Sequence, residues 1–183
     1  MSYTLGIYFS LRHCHAVFMQ HANNQYHYQG HFNIAINLQS EETKRQALIR
    51  CQQTFSHHKR TILGLRQHDV LIQKTSIDAQ LTDTEIMKYL TQQANTNYVD
   101  YALLSQTQST KTLRVVTAQK SLITAYQNLF SSVGIPLHAI DVDILALERL
   151  SRHTKHLIKN LPEQREGLPF FVSVGLAAWG HDL

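Results

Sequence analysis

Aromatic and β-branched side chains dominate residues 3–37, and this pattern constrains the fold more than any other feature. The segment from Tyr3 to Gln20 is rich in these residues and predicts a β-hairpin that turns near Arg12. Residues 21–24 supply a turn, and the run that follows alternates with a period of two, which is typical of a half-buried strand. The residues predicted to share its buried face are Tyr26, Tyr28, Phe32, Ile34 and Ile36. The chain therefore opens with a three-stranded antiparallel meander.

Helix signals then alternate with short apolar runs. Ser40 is a predicted N-cap, and the sequence from Thr82 to Glu85 matches a capping box. Gly134 followed by Pro136 predicts a helix end, because proline cannot continue the helix. Further strands are predicted at 61–65, 70–77, 99–104, 113–118 and 137–142, and further helices from 119, from 143 and over 168–179. The fold class is therefore α/β with mixed sheets, and the polar segment 151–167 carries no strand signal.

Composition and charge exclude several classes of protein. Apolar residues make up 43% of the chain and charged residues 16%, which rules out disordered and coiled-coil proteins. The net charge is +4 without a cluster of Lys and Arg, so no nucleic-acid partner is expected. The chain starts without a signal-peptide pattern, and its most apolar run is shorter than the roughly 20 residues that cross a bilayer. A cytoplasmic protein without direct membrane insertion is expected.

Histidines and cysteines give only weak signals of a metal or redox site. His13 and His15 could share a strand face, but a structural zinc site normally needs four ligands and no second cluster is evident. His153 and His156 lie one helical turn apart on a polar segment, where solvent-facing side chains are the simpler interpretation. His57 and its neighbour at 58 read as a helix end. No metal site is predicted.

The remaining reactive groups also favour structural roles. Cys14 and Cys51 lie on predicted core-facing elements, where thiols usually act as small apolar groups. Asp141 and Asp143 could pair for acid–base chemistry, but at a strand-to-helix junction helix capping is the simpler role. The sequence contains no GxSxG, HExxH, P-loop, GxGxxG or EF-hand pattern. The sequence therefore predicts a protein that is not an enzyme.

Several stretches resemble the PilM family, the actin-like, FtsA-related proteins of type IV pilus assembly. The opening Leu5–Ser10 with Ala16 and Val17 is similar to the first hairpin of the family. The strand 70–77 with the capped helix after it, and the closing segment 171–177, are similar as well. The most specific stretch is Arg114–Asp143, RVVTAQKSLITAYQNLFSSVGIPLHAIDVD. The resemblance implies one actin-like, RNase H-like lobe made of 1–68 and 139–183. It also implies a strand–helix–strand–strand–helix subdomain inserted at 69–138.

The resemblance also implies a degenerate phosphate site. Members of the family carry a second lobe where this chain has only the polar segment 151–167, so half of the nucleotide clamp is absent. In an ungapped comparison, Tyr8 stands at the position of the metal-serving Asp of the family, and Ser10 stands at that of a Gly. Leu11, Arg12 and His13 replace a run of serines, and His15 replaces a lysine-like position. No cofactor and no ATP binding are therefore expected.

What remains of the family's role is partner binding. PilM-like proteins hold the cytoplasmic N-terminal tail of PilN, a single-pass inner-membrane protein, in a groove beside the inserted subdomain. The resemblance therefore implies a non-catalytic scaffold that is peripheral to the inner membrane through a PilN-like partner. The candidate groove residues are Leu71, Ile72, Val115, Val116, Thr117, Ile140 and Asp141.

Three alternatives remain open at this point. One is a weakly nucleotide-dependent protein that uses Ser10 and Arg12 and is completed by dimerisation. Another is a degenerate remnant without a function. Self-association through an apolar patch at Tyr8, Phe9 and Leu11 is a further hypothesis, since a missing lobe would uncover that region.

Overall fold

The fold comes from a computed structural model, which describes residues 2–23, 25–57, 59–151, 158–161 and 167–179. The chain divides into two compact units, of which the first comprises Met1–Arg66 with Gln127–Leu183 and the second comprises Gln67–Tyr126. The elements in chain order are β1 (Ser2–Phe9), β2 (His13–Ala22), β3 (Gln25–Ala35), α1 (Glu41–Thr54), β4 (Arg60–Leu65), β5 (Val70–Asp78), α2 (Asp83–Ala94), β6 (Tyr98–Gln106), β7 (Thr110–Ala118), α3 (Lys120–Ser132), β8 (Ala139–Val142), α4 (Asp143–Arg149), β9 (Ile158–Lys159) and α5 (Gly167–Trp179).

The first unit is built on a six-stranded mixed sheet with the order β8-β4-β1-β2-β3-β9. Strands β1, β2 and β3 form the antiparallel meander that the sequence predicts. On the other side of β1, β4 and then β8 add in parallel, with Tyr8 opposite Gly64 and Gly64 opposite Asp141. Because these three strands run in the same direction, their carboxyl ends meet at one end of the sheet. Residues that follow the three strands are thereby brought close together.

Strand β3 contains a bulge that redirects half of its side chains. Phe18 of β2 lies opposite Gly30, whereas the next residue, Met19, lies opposite Tyr28. Gln29 is therefore an extra residue, and one inserted residue inverts the alternation of faces. The prediction that all five apolar residues of this run share one face is wrong. The two tyrosines before the bulge pack with α5, while the apolar residues after it turn to the opposite face, toward α1.

Helix α5 lies directly on the first sheet because glycines permit close approach. A Cβ atom at Gly6 of β1 would lie 2.2 Å from the carbonyl oxygen of Ser173 and 2.6 Å from the nitrogen of Ala177. On another side of the helix, a Cβ at Gly175 would lie 2.3 Å from the carbonyl oxygen of Ala146 in α4. Gly175 thus permits α4 to approach α5 closely. The helix is buried between the sheet and α4 along most of its length.

The second unit is a three-stranded antiparallel sheet with the order β5-β7-β6, and α2 covers one face. Ile86 of the helix packs there against Leu113 of the central strand. The predicted capping box is confirmed at the start of α2. The Glu85 N–H donates to the Thr82 hydroxyl at 3.4 Å, and the Thr82 N–H donates to the Glu85 carboxylate at 2.9 Å. Because β7 lies between them, β5 and β6 are the two edge strands of this sheet.

Two predicted boundaries need correction, whereas a third is confirmed. Gly134 adopts a left-handed conformation with φ of 71° after α3, as the helix-end signal predicts. Helix α1 ends at Thr54 rather than near His57, because the ring of Phe55 stacks on that of Phe18. The polar segment 151–167, predicted to lack a strand, contains β9, which pairs in parallel with the start of β3. A two-residue strand is too short to show an alternation. Residues 58, 153, 156 and 157 lie outside the described residues.

Candidate functional site

The carboxyl ends of β1, β4 and β8 are the first candidate site, since Tyr8, Ser10 and Asp143 follow or end these strands. Tyr8 is only 8% exposed and packs with Ile62 and Leu176. Its hydroxyl donates to Oδ2 of Asp143 at 2.9 Å. A phenol ring therefore fills the position at which the resemblance places a metal-serving carboxylate.

The turn between β1 and β2 uses the polar groups of Ser10 for its own closure. The Ser10 N–H and hydroxyl both donate to the His13 carbonyl, at 2.8 and 3.0 Å. The His13 N–H in turn donates to the Ser10 hydroxyl at 3.1 Å. Leu11 and Arg12, at the tip of this turn, are exposed. The loop is a closed turn rather than an open cradle of N–H groups.

The two carboxylates at the end of β8 bind different partners. Asp141 is buried and forms an ion pair with Arg149. The guanidinium of Arg149 lies 4.6 Å from the centre of the Trp179 ring, so the pair is held against an aromatic face. Asp143 binds Tyr8 and accepts the N–H of Ile144 at 2.6 Å. This arrangement ties β8, α4 and α5 together, and it leaves no acid–base pair between the two carboxylates.

Asp143 does not have the N-cap role that its position predicts. The N-cap of α4 is Val142, and Asp143 is the first helical residue. Its carboxylate is recruited instead by a tyrosine from β1, a contact between residues 135 positions apart. The predicted apolar patch at the opening hairpin is also wrong. Tyr8 and Phe9 are 8% and 2% exposed because β1 is an inner strand, and Leu11 alone of the three is exposed.

The predicted groove residues are distributed over two units and several faces. Ile140 and Asp141 belong to the first unit, and the other five belong to the second. In the second unit, strand alternation places Leu71, Val115 and Thr117 on the α2 face and the remaining two on the opposite face. Val115 is a core residue, with 1% exposure, whereas Leu71 is 58% exposed at the start of edge strand β5.

The structure buries both thiols and places His13 beside His15. Cys14 and Cys51 are both buried free thiols, as expected. Burial raises the pKa of Cys51 to about 12, and burial, with a smaller effect of the Cys51 charge, also raises that of Cys14. His13 and His15 share a face, with ring centres 5.8 Å apart. In the described part of the chain, no three His, Cys, Asp or Glu side chains come together as metal ligands.

The sequence reasoning missed Arg149 and Trp179 as partners of Asp141. The signal for Arg149 is present, since an arginine eight residues after a carboxylate lies about two helical turns along the helix that follows. No local signal points to Trp179, which reaches the pair only through the packing of α5 on α4.

None of the described helices is long and apolar enough to cross a membrane.

The first unit has a mixed sheet with helices on both faces, and the second is a small sheet covered by a helix, which together define an α/β fold. The sequence itself matches no protein-family model and no curated protein. A solved chain of the PilM–PilN type IV pilus biogenesis complex is similar in structure, with a TM-score of 0.69 and 11% identity. That match covers 79% of this chain and 48% of the other.

Two further solved structures match the chain over most of its length. The cytoplasmic domain of EpsL, an inner membrane component of the type II secretion system of Vibrio cholerae, matches 79% of this chain and 57% of its own, with a TM-score of 0.54 and 17% identity. A Bacteroides thetaiotaomicron protein of actin-like ATPase fold and unknown function matches 82% of this chain and 56% of its own, at a TM-score of 0.44 and 16% identity. The chain thus spans about half the length of these relatives. The predicted resemblance to PilM is confirmed at the level of the fold.

Proposed function

We propose that this chain is a non-catalytic scaffold of a type IV pilus or related secretion assembly. In this role it binds the cytoplasmic N-terminal tail of a PilN-like inner-membrane protein and is held at the membrane through that partner. The observation that carries the proposal is the fold shared with a chain of the PilM–PilN complex over 79% of this chain. The similar cytoplasmic domain of EpsL belongs to another inner-membrane assembly, which supports the same setting.

The end of the first sheet supports the non-catalytic part of the proposal. Tyr8 is packed into the core and bonded to Asp143, and Ser10 closes its own turn. Asp141 is engaged by Arg149. A triphosphate with its metal ion needs an accessible carboxylate and several inward-pointing N–H groups. The internal engagement of these groups supports a role in partner binding over one in nucleotide binding.

Edge strand β5 is the best candidate for contact with the tail. An extended peptide can add to a sheet edge through its backbone, while exposed apolar side chains give it specificity. Leu71 is exposed on this strand, and its neighbour Ile72 is half-buried on the opposite face. Val116 and Thr117 lie across from them on β7 and are also half-buried. Tail side chains on either face of the edge would thus meet apolar groups.

Calorimetric titration with a synthetic tail peptide of a PilN-like protein tests this proposal. Leu71→Asp removes an apolar contact worth about 1.5–3 kcal/mol when fully buried, so we expect affinity to fall about tenfold or more. Leu11→Asp is the matched control, since Leu11 is 71% exposed in the other unit. The proposal is wrong if the peptide does not bind, or if both variants bind it as the native chain does.

Thermal unfolding with Mg-ATP tests the non-catalytic part separately. A nucleotide that binds only the native state raises its melting temperature by mass action. Because Tyr8 and Ser10 are engaged internally, we expect no increase at millimolar Mg-ATP. An increase of several degrees would favour the nucleotide-dependent alternative, particularly if Tyr8→Ala enlarged it.

A further inference from the structure

The β6 edge of the small sheet has the composition of a strand that can pair with another chain. β6, with the sequence YVDYALLSQ, borders β7 on one side, and no described residue pairs with its other side. Most of its side chains are exposed, including Tyr98 at 46% and Leu103 at 52%. Asp100 is its single charged residue. Long, exposed and weakly charged edge strands are templates for strand addition, and proteins usually block them.

The hydrogen bonds of the hairpin show which groups of β6 point outward. The Thr107 N–H donates to the Thr110 carbonyl at 2.8 Å, so this pair closes the β6–β7 hairpin. Because the backbone groups of successive residues point to opposite sides of a strand, the N–H and C=O groups of the even-numbered residues of β7 point toward β6. Tyr101 lies opposite Val115, an odd-numbered residue, so the N–H and C=O of Tyr101 point away from the sheet. By the same rule, the N–H and C=O groups of Val99 and Leu103 also point away from the sheet.

One of these outward groups is already occupied. The Tyr101 N–H donates to Oδ1 of Asp100 at 2.8 Å. The side chain of Asp100 therefore covers an edge donor that an incoming strand would need, and it places a negative charge beside it. A register shift between Leu103 and Ser105 ends the regular part of the edge. The regular edge thus runs from Tyr98 to Leu103, with Asp100 near its centre.

This short edge is complementary to itself. In an antiparallel pair, two opposite residues direct their backbone groups either both toward the partner strand or both away from it, so odd-numbered residues of one copy face odd-numbered residues of the other. With Tyr101 opposite the same residue of a second copy, Val99 lies opposite Leu103 and Asp100 lies opposite Ala102. This register pairs apolar and aromatic residues, which stabilise sheets, and it separates the like charges. A register shifted by one residue on each strand would place the two Asp100 side chains opposite each other.

We propose that the β6 edge is a latent surface for pairing with a second copy of this chain, and that Asp100 keeps it closed by capping the Tyr101 N–H. Asp100 acts beside the two-fold axis of the register that keeps the two Asp100 side chains from lying opposite each other, where both copies need the Tyr101 donor. This proposal does not depend on the tail-binding function, which concerns edge strand β5. It moves the predicted self-association from the opening hairpin, where the aromatic residues are buried, to the second unit.

Light scattering coupled to size-exclusion chromatography tests directly whether Asp100 prevents pairing of two copies. We expect the native chain to elute at its monomer mass of 21.0 kDa and Asp100→Ala to approach twice that mass as concentration rises. Asp78→Ala is the matched control, because Asp78 also caps a backbone N–H, that of Gln80 at 2.8 Å, but in a turn after β5. Asp78→Ala should remain monomeric, and thermal unfolding of both variants checks that they fold. An unchanged mass for Asp100→Ala, or a doubled mass for Asp78→Ala, would overturn the proposal.

Disulfide trapping tests the register. With Val99→Cys and Leu103→Cys combined in the Asp100→Ala chain, oxidation should link two copies, because these positions face each other across the axis. Either cysteine alone should link far fewer copies, and the native thiols are buried and should not contribute. Equal linking by the single and double variants would refute the register. Equally rapid linking in the chain that retains Asp100 would refute the proposal that Asp100 prevents pairing.

Discussion

Substitution of Gly6 by alanine tests the packing of α5 on the first sheet. The added Cβ would lie 2.2 Å from the Ser173 carbonyl oxygen, 2.6 Å from the Ala177 nitrogen and 2.9 Å from the Leu176 Cβ. The two closest atoms belong to the helix backbone, so no rotamer change can move them. Ordinary contact begins at about 3.4 Å, and the helix must therefore retreat from the strand by about 1 Å.

The cost can be worked from these contacts. Overpacking of a close-packed core costs about 1–3 kcal/mol, and backbone overlap falls at the upper end of that range. Replacement of glycine in a strand returns about 0.5–1 kcal/mol through chain entropy. The net loss is about 2 kcal/mol, which in a chain of this size lowers the melting temperature by about 4–8 °C.

Gly30→Ala provides the matched control in the same sheet. Its Cβ would lie 3.3 Å from the Phe55 ring, which can move aside, so we expect a change of less than about 1 kcal/mol. Urea unfolding followed by fluorescence measures both variants, because Trp179 is the single tryptophan and lies in α5. Equal stability of the two variants would refute the close approach of helix and strand.

Two further predictions concern titratable groups. Hydrogen bonds from the backbone and hydroxyl of Thr82 lower the pKa of Glu85, so its contribution to stability is present above the ordinary glutamate pKa of about 4.3 and is lost as pH falls through the folded value. We therefore expect Thr82→Ala to destabilise α2 by about 1 kcal/mol at pH 7 and by less in acid. Hydrogen exchange of the α2 amides measures this, and a loss that is the same at both pH values would contradict it. Because burial raises the pKa of both Cys14 and Cys51, native thiols should resist a thiol reagent at pH 8 and react once unfolded. Leu11→Cys is the positive control, and rapid labelling of the native chain would show that the thiols are accessible.

Local patterns in the sequence determine the elements and their caps. The order of strands and helices apart from β9, the capping box at Thr82 and the left-handed end at Gly134 could all be predicted, because each depends on residues within one or two turns. Burial of Cys14 and Cys51 could also be predicted from the positions of these residues on apolar stripes. The resemblance to PilM predicted the fold from the same ordered elements. The similarity to a solved chain of the PilM–PilN complex confirms that prediction for the fold.

Contacts between distant residues were decided only by the tertiary structure. The bulge at Gln29, which divides the apolar residues of β3 between two faces, follows from pairing with β2 and leaves no trace in the alternation of β3 itself. The bond from Tyr8 to Asp143 and the stacking of Arg149 on Trp179 join elements far apart in the chain. No local pattern in the sequence indicates that Asp100 caps an N–H at a sheet edge, because the strand order alone decides which strand lies at the edge. Periodicity shows which way a side chain points along its own strand, whereas the group it meets depends on what the fold packs beside it.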